Sequence, residues 1–314
     1  MNSSNIPDMA GKTDLARQVL FLRHSQMLIN ERYKRGDFKI PLHLGLGHEA
    51  IAVAVDAVMQ GGDQIICSHR NMHYVLARGK NLKAELDEYY LKREGLAKGE
   101  LGSMNLADEA HGIPYSSSIL GNNISVGAGL ALAKRVAGKN NVIIVQSGDG
   151  AIEEGSFYES LLFLKSQNLC CMVLVENNGY SLGTHITERR CDINLRSITS
   201  GLGIHYERFS GNDVFAYVQR LRELRDYCIK TRTPVCVEVM LTTLGSWYLT
   251  NDQNPHGKFV NYHSGPAPTV QMNEWPILLM NDDDPVFALT THINKDTLVR
   301  ESKDILARLQ EESA

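Results

Sequence analysis

Residues 143–178 read IIVQSGDGAIEEGSFYESLLFLKSQNLCCMVLVENN, and this stretch decides the fold. An apolar strand runs into Gly148-Asp149-Gly150, a helical segment spans Glu153 to Lys165, and a second apolar strand from Cys171 to Glu176 ends at Asn177 and Asn178. Two strands without polar alternation, joined through a helix, imply a right-handed crossover and a parallel pair buried on both faces. The pattern extends outward. A helix from Val126 to Val136 and a strand from Val142 to Gln146 lead in; a helix from Asp213 to Cys228 and a strand from Val235 to Leu241 follow. Upstream, Leu15 to Tyr33 has helical spacing, and a loop at Leu44 to Gly47 opens an apolar helix that stops at Gly61-Gly62. A short strand, QIICS, a polar segment, HRNMHY, and an amphipathic helix from Leu82 to Arg93 come next. The expectation is an α/β fold with a parallel sheet covered by helices on both faces. Residues 1–14 are expected as a flexible arm, 15–314 as a single domain ending in a C-terminal helix.

Composition narrows the function. The 314 residues are 43% hydrophobic, enough for a sizeable core, and the formal charge of -4 gives no basic footprint for nucleic acid. No apolar run reaches the roughly 20 residues of a membrane span, and the start MNSSNIPDMAGKTD has no signal-peptide core, so a cytoplasmic protein is expected. Six cysteines, at 67, 170, 171, 191, 228 and 236, show no CxxC spacing and read as small buried apolar residues. Cys170 and Cys171, being adjacent, point to opposite faces of a strand.

Ligands of such sheets bind at the carboxyl ends of the strands. Gly148 and Gly150 let the backbone turn sharply and approach a ligand, and the helix that follows offers free amides to a phosphate. Asp149 would repel that phosphate unless a cation lay between them. Mg²⁺ meets the need, since it takes one or two carboxylates and fills its octahedron with phosphate oxygens and carbonyls. The amide oxygens of Asn177 and Asn178 stand at the next strand end. GDG, a crossover helix and NN together form the signature of thiamine diphosphate-dependent enzymes, whereas a dinucleotide reading fails because GLGHEA lacks the third glycine.

From Gly148 to Thr184 the sequence closely resembles the alpha subunit of the decarboxylating first component of 2-oxo acid dehydrogenase complexes. GLGHEAIAVAV, SHRNMHYVLARG, GSMN and DDDPVFAL resemble further elements of that family, over about Leu15 to Leu289. The resemblance implies the thiamine diphosphate-binding fold, here the diphosphate-binding domain only. It implies that Asp149, the Asn178 side chain and the Tyr180 carbonyl bind Mg²⁺. Gly148 shapes the turn, and Gly150 and Ala151 offer amides to the diphosphate. His69 and Arg70 face it from the other side, Ser118 and Leu120 hold the aminopyrimidine, and Leu182 is the apolar wedge beneath the cofactor. A beta subunit is expected to supply the pyrimidine-binding domain and its glutamate in an α2β2 assembly, so the chain alone would be inactive.

The departures point elsewhere. Met72 stands where the family carries a histidine, with His73 one position later. The family's Arg and His, on a mobile loop at about 242–268, are replaced by Thr243, Gly245, Ser246 and Trp247. His256 and His263, further along, could swing in, but are read first as exposed loop histidines. Three functions are expected, in this order. The first is decarboxylation of a 2-oxo acid with acyl transfer to a lipoyl acyltransferase. The second is a two-chain carboligase or transketolase-like enzyme using a ketose donor; the third is a non-catalytic cofactor-binding scaffold.

Overall fold

The computed structural model describes residues 8–313. Six strands make the main sheet: β1 (Gln64–Ser68), β2 (Tyr115–Ser117), β3 (Ile143–Gly148), β4 (Cys171–Asn177), β7 (His205–Phe209) and β8 (Val235–Met240). Their order is β2-β1-β3-β4-β8-β7 and every neighbouring pair is parallel. Two hairpins lie outside it, β5 (Tyr180–Ser181) with β6 (Thr184–His185) and β9 (Trp247–Asn251) with β10 (Asn254–Val260). The helices are α1 (Met9–Lys34), α2 (Glu49–Val58), α3 (Met72–Gly79), α4 (Leu82–Tyr89), α5 (Asn122–Val136), α6 (Gly155–Ser166), α7 (Ile186–Arg189), α8 (Leu195–Gly201), α9 (Val214–Thr231), α10 (Pro285–Leu289) and α11 (Lys295–Glu312). Among the described residues no helix is long and apolar enough to cross a membrane.

The strand side chains alternate between two cores. Ile144, Met172, Leu174 and Val237 pack with residues of α1, α2 and α9, while Ile143, Val145, Val173 and Val175 pack with α5 and α6. That two-sided burial is why β3 and β4 read as unbroken apolar runs. α5 lies so close to β3 that a Cβ on Gly127 would come within 2.2 Å of Val145, so glycine is required there. The register pairs Gly148 with Glu176, so Asp149 and Asn177 leave the sheet at one level.

A buried ion network ties the chain's two ends. Arg23 Nε donates to Glu49 Oε1 at 2.6 Å and its Nη2 donates to Asp284 Oδ1 at 2.9 Å, with both side chains and the arginine sealed from solvent. Glu49 Oε2 accepts from the Gly47 amide at 2.8 Å, which fixes the Gly-rich loop, and Asp284 caps α10.

Several expectations are corrected here. α1 begins at Met9 with Asp8 as its cap, inside the expected arm; residues 1–7 of that arm lie outside the described residues. The polar-looking HRNMHY enters α3, because Met72, Tyr74, Val75, Leu76 and Ala77 present one buried surface. The loop expected at about 242–268 holds the β9–β10 hairpin. Cys67, Cys171, Cys228 and Cys236 are buried as expected, whereas Cys170 is half-buried and Cys191, just past α7, is exposed.

Candidate functional site

The sheet changes direction at β1 and β3, which are neighbours with β2 outside β1, and such a switch opens a crevice at the strand ends. A cavity of about 300 Å³ occupies that crevice. His69 and Arg70 enter it after β1, Ser118 and Leu120 after β2, Gly148, Asp149, Gly150 and Ala151 after β3, and Asn178, Tyr180 and Leu182 after β4. The eleven residues expected to hold the cofactor therefore line one space, whereas Asn177 and the loop residues Thr243 to Trp247 are not on its lining. A Cβ at Gly150 would come within 2.8 Å of Ser181 Oγ, which would have to turn aside.

Asp149 is almost fully buried, and its Oδ2 accepts from Arg189 Nη2 at 2.7 Å. Burial raises its carboxyl to about 6, and Arg189 opposes that rise without cancelling it. The position thus attracts positive charge. Arg189 also pairs with Glu153, to which Arg190 Nε donates at 3.0 Å.

Asn178 is held by a chain of hydrogen bonds that starts at a buried carboxylate. Glu176 accepts from Tyr74 Oη at 2.7 Å, Gln146 Nε2 at 2.8 Å, His48 Nδ1 at 3.1 Å and His73 Nε2 at 3.3 Å. Burial favours its neutral form, but His48 and His73 and their hydrogen bonds hold it well below the usual carboxylate range. Burial lowers His48. An ionised Glu176 only accepts, so His48 Nδ1 must carry the proton and the neutral ring's Nε2 must accept. Thr243 Oγ1 lies 2.9 Å from that Nε2 and donates to it; its lone pairs then receive Asn178 Nδ2 at 2.7 Å. The polarity of the whole chain follows. Asn178 is left with its Oδ1 free of Thr243, accepting from the Tyr180 amide at 3.0 Å. Thr243 is therefore a fixed support behind Asn178.

Three imidazoles line the other side. The ring of His43 lies 4.7 Å from that of His69 and 5.0 Å from that of His263. Burial, then the charge of Arg70, lowers His43 to about 2, His69 to about 3 and His263 to about 4, so all three are neutral near pH 7. His43 Nδ1 is buried without a hydrogen-bond partner. The expectation for His263 is corrected: the chain after β10 folds back so that it enters the cavity, while His256 is exposed in β10. Arg70 is buried; its guanidinium donates to the carbonyls of Leu44 and His263 and lies 5.9 Å from the centre of the Tyr262 ring. Leu182 has φ 54° and stays 65% exposed, with Ile119 at 68% and Leu120 at 47%, so the cavity has an open apolar rim.

Sequence reading did not single out His43, Glu176 or the link from His48 to Thr243. His43 and His48 flank LGLG, and two histidines beside a Gly-rich turn are a signal on their own. Glu176 sits directly before Asn177, on a strand otherwise apolar, and a lone carboxylate there requires partners.

The family described as dehydrogenase E1 component matches residues 17–244. The pyruvate dehydrogenase E1 component alpha subunit of Rhizobium meliloti is 30% identical over 224 residues, covering 71% of this chain and 64% of that protein. In Bacillus subtilis, the alpha subunit of acetoin:2,6-dichlorophenolindophenol oxidoreductase is 26% identical over 304 residues, 94% of this chain and 84% of that one. A transketolase from Pichia stipitis, solved with sedoheptulose 7-phosphate, superposes with a TM-score of 0.59 at 16% identity; it matches 96% of this chain and 45% of its own, and shows likeness of fold. The chain thus spans about two thirds of the Rhizobium subunit and under half of the transketolase. With more than half its residues matched by the family, the chain belongs to the dehydrogenase E1 component family.

Proposed function

We propose that the chain is the alpha subunit of a thiamine diphosphate- and Mg²⁺-dependent 2-oxo acid dehydrogenase-like enzyme of the cytoplasm, active with a beta subunit in an α2β2 assembly. One observation carries this reading: Asp149 and Asn178 leave neighbouring parallel strands into one cavity, and Asn178 is oriented by hydrogen bonds from behind. The donor set suits a hard cation, with a carboxylate from Asp149, an amide oxygen from Asn178 and the Tyr180 carbonyl. Arg189 on the Asp149 carboxylate marks where positive charge is favoured. The turn at Gly150 and Ala151 would present amides to the diphosphate, with His69 and Arg70 opposite, and Ser118, Leu120 and Leu182 would hold the rings. When bound, thiamine diphosphate supplies a stabilised carbanion equivalent for breaking the bond next to a carbonyl; the protein binds and orients it and excludes water. The exposed Ile119, Leu120 and Leu182 support a second chain closing over the cavity.

A second reading, a two-chain carboligase or transketolase-like enzyme with a ketose donor, is favoured by the imidazoles. His43, His69 and His263 are neutral and offer hydrogen bonds without charge, a better match to hydroxyl groups than to a carboxylate. Calorimetric titration of thiamine diphosphate and Mg²⁺ into the chain, alone and co-expressed with its beta partner, tests the main reading. Tight binding only in the pair is expected; binding in neither form overturns it. Turnover of pyruvate and of hydroxylated ketoses by the pair then separates the two donors, and a lipoyl acyltransferase as acceptor is tested in the same assay.

A further inference from the structure

At the end of the sheet away from the cavity, Cys170 lies immediately before β4 and Cys228 lies in α9. Seven residues of strand, roughly 20 Å at the rise of a β-strand, separate Cys170 from the strand end that carries Asn178. The two thiols interlock. Cys170 Sγ donates to the Cys228 carbonyl at 3.5 Å and Cys228 Sγ donates to the Cys171 carbonyl at 3.7 Å, so each sulfur packs against the backbone of the other's segment. They differ in access. Cys228 is fully buried, whereas half-buried Cys170 opens into a small cleft whose walls carry Lys134, Arg135, Lys139 and Arg232. Those four side chains give the cleft a strong positive field with no carboxylate on its lining. A partly accessible thiol, lined by cations and packed beside the segment of a second thiol, is placed for oxidation to a disulfide.

We propose that Cys170 and Cys228 form a peroxide-reactive dithiol, with Cys170 as the attacking sulfur and Cys228 as the resolving one. The neighbouring Cys228 thiol, and then the charge of Arg232, hold Cys170 below the usual thiol value against its burial, which favours the thiolate. The Cys170 thiolate attacks one oxygen of hydrogen peroxide; the O–O bond breaks, hydroxide leaves and takes a proton from solvent, and Cys170 becomes a sulfenic acid. Cys228 Sγ then attacks Cys170 Sγ. The S–O bond breaks, the hydroxyl leaves with the Cys228 proton as water, and the S–S bond forms. Two thiols have lost two electrons and one peroxide has become two waters. The cross-link joins the entry of β4 to α9 at the end remote from the candidate site. It is independent of which cofactor the cavity takes.

The test is peptide mapping of the full chain after treatment with hydrogen peroxide near pH 7 and alkylation of the remaining thiols. A linked Cys170–Cys228 peptide is expected, with two of the six thiols lost through it and restored by a dithiol reductant. Cys170→Ser abolishes the linked peptide. Cys228→Ser leaves Cys170 to accumulate as a sulfenic acid that dimedone traps. The proposal is overturned if Cys170 stays freely alkylated while exposed Cys191 is oxidised, or if Cys170 is recovered linked to a cysteine other than Cys228.

Discussion

Glu49 and Glu176 are both carboxylates sealed from water, at 0% and 3% exposure, yet different groups meet them and their networks end in different places. Glu49 faces the guanidinium of Arg23, which also holds Asp284; charge meets charge, and the result clamps the Gly-rich loop, α1 and α10 together. Glu176 faces two imidazoles, a phenol and an amide, and its hydrogen bonds run on through His48 and Thr243 to Asn178 at the cavity. The first arrangement stores stability. The second transmits orientation, because each neutral donor hands a defined polarity to the next.

If that contrast holds, the largest stability loss comes from the clamp. Arg23→Met leaves two buried carboxylates unpaired and is expected to cost about 3–5 kcal/mol in urea unfolding, measured on the full chain. A loss below about 1 kcal/mol would mean that the guanidinium does not neutralise both acids.

Glu85 is a buried carboxylate with no cation beside it. It is fully buried, bonded to Tyr89 Oη, with Oε2 unpartnered, and burial raises it from 4.5 to about 8. A carboxyl raised in the folded state favours folding fully below its unfolded value, and that contribution is lost as pH rises through the folded value. Stability is therefore expected to fall between pH 5 and pH 8 by on the order of 3 kcal/mol from this group. Glu85→Gln, which keeps the shape and cannot ionise, should flatten that slope; an unchanged slope would place the titration elsewhere.

The relay gives a smaller effect on stability and a specific one on binding. Thr243→Val keeps the volume and removes both hydrogen bonds, so the Asn178 amide loses its fixed orientation. Cation-dependent binding of thiamine diphosphate to the two-chain complex is expected to weaken about 10–100-fold, with Thr243→Ser close to the parent. Equal loss in both variants would assign Thr243 to packing alone.

The parallel sheet was legible because β3, β4 and β8 are largely buried on both faces and so are mostly apolar, without polar alternation. β2 and β7 were not, since each is a short edge strand with only part of its length buried. At the site, the turn glycines, Asp149 and Asn178 were legible because they punctuate strand ends at a fixed interval. The partners of Glu176 were not, because His48, the pair His73 and Tyr74, and Gln146 come from three separate segments that only the fold brings together. His263 was misread for the same reason: nothing local says that the chain after β10 returns to the cavity.

The central claim is that Asp149 and Asn178 hold the cation through which a diphosphate binds. Its most direct test is calorimetric titration of thiamine diphosphate, with and without Mg²⁺, into the two-chain complex carrying either the parent chain or Asp149→Ala. The account predicts Mg²⁺-dependent binding that disappears in Asp149→Ala while circular dichroism and assembly are unchanged. Affinity that survives the substitution would contradict it.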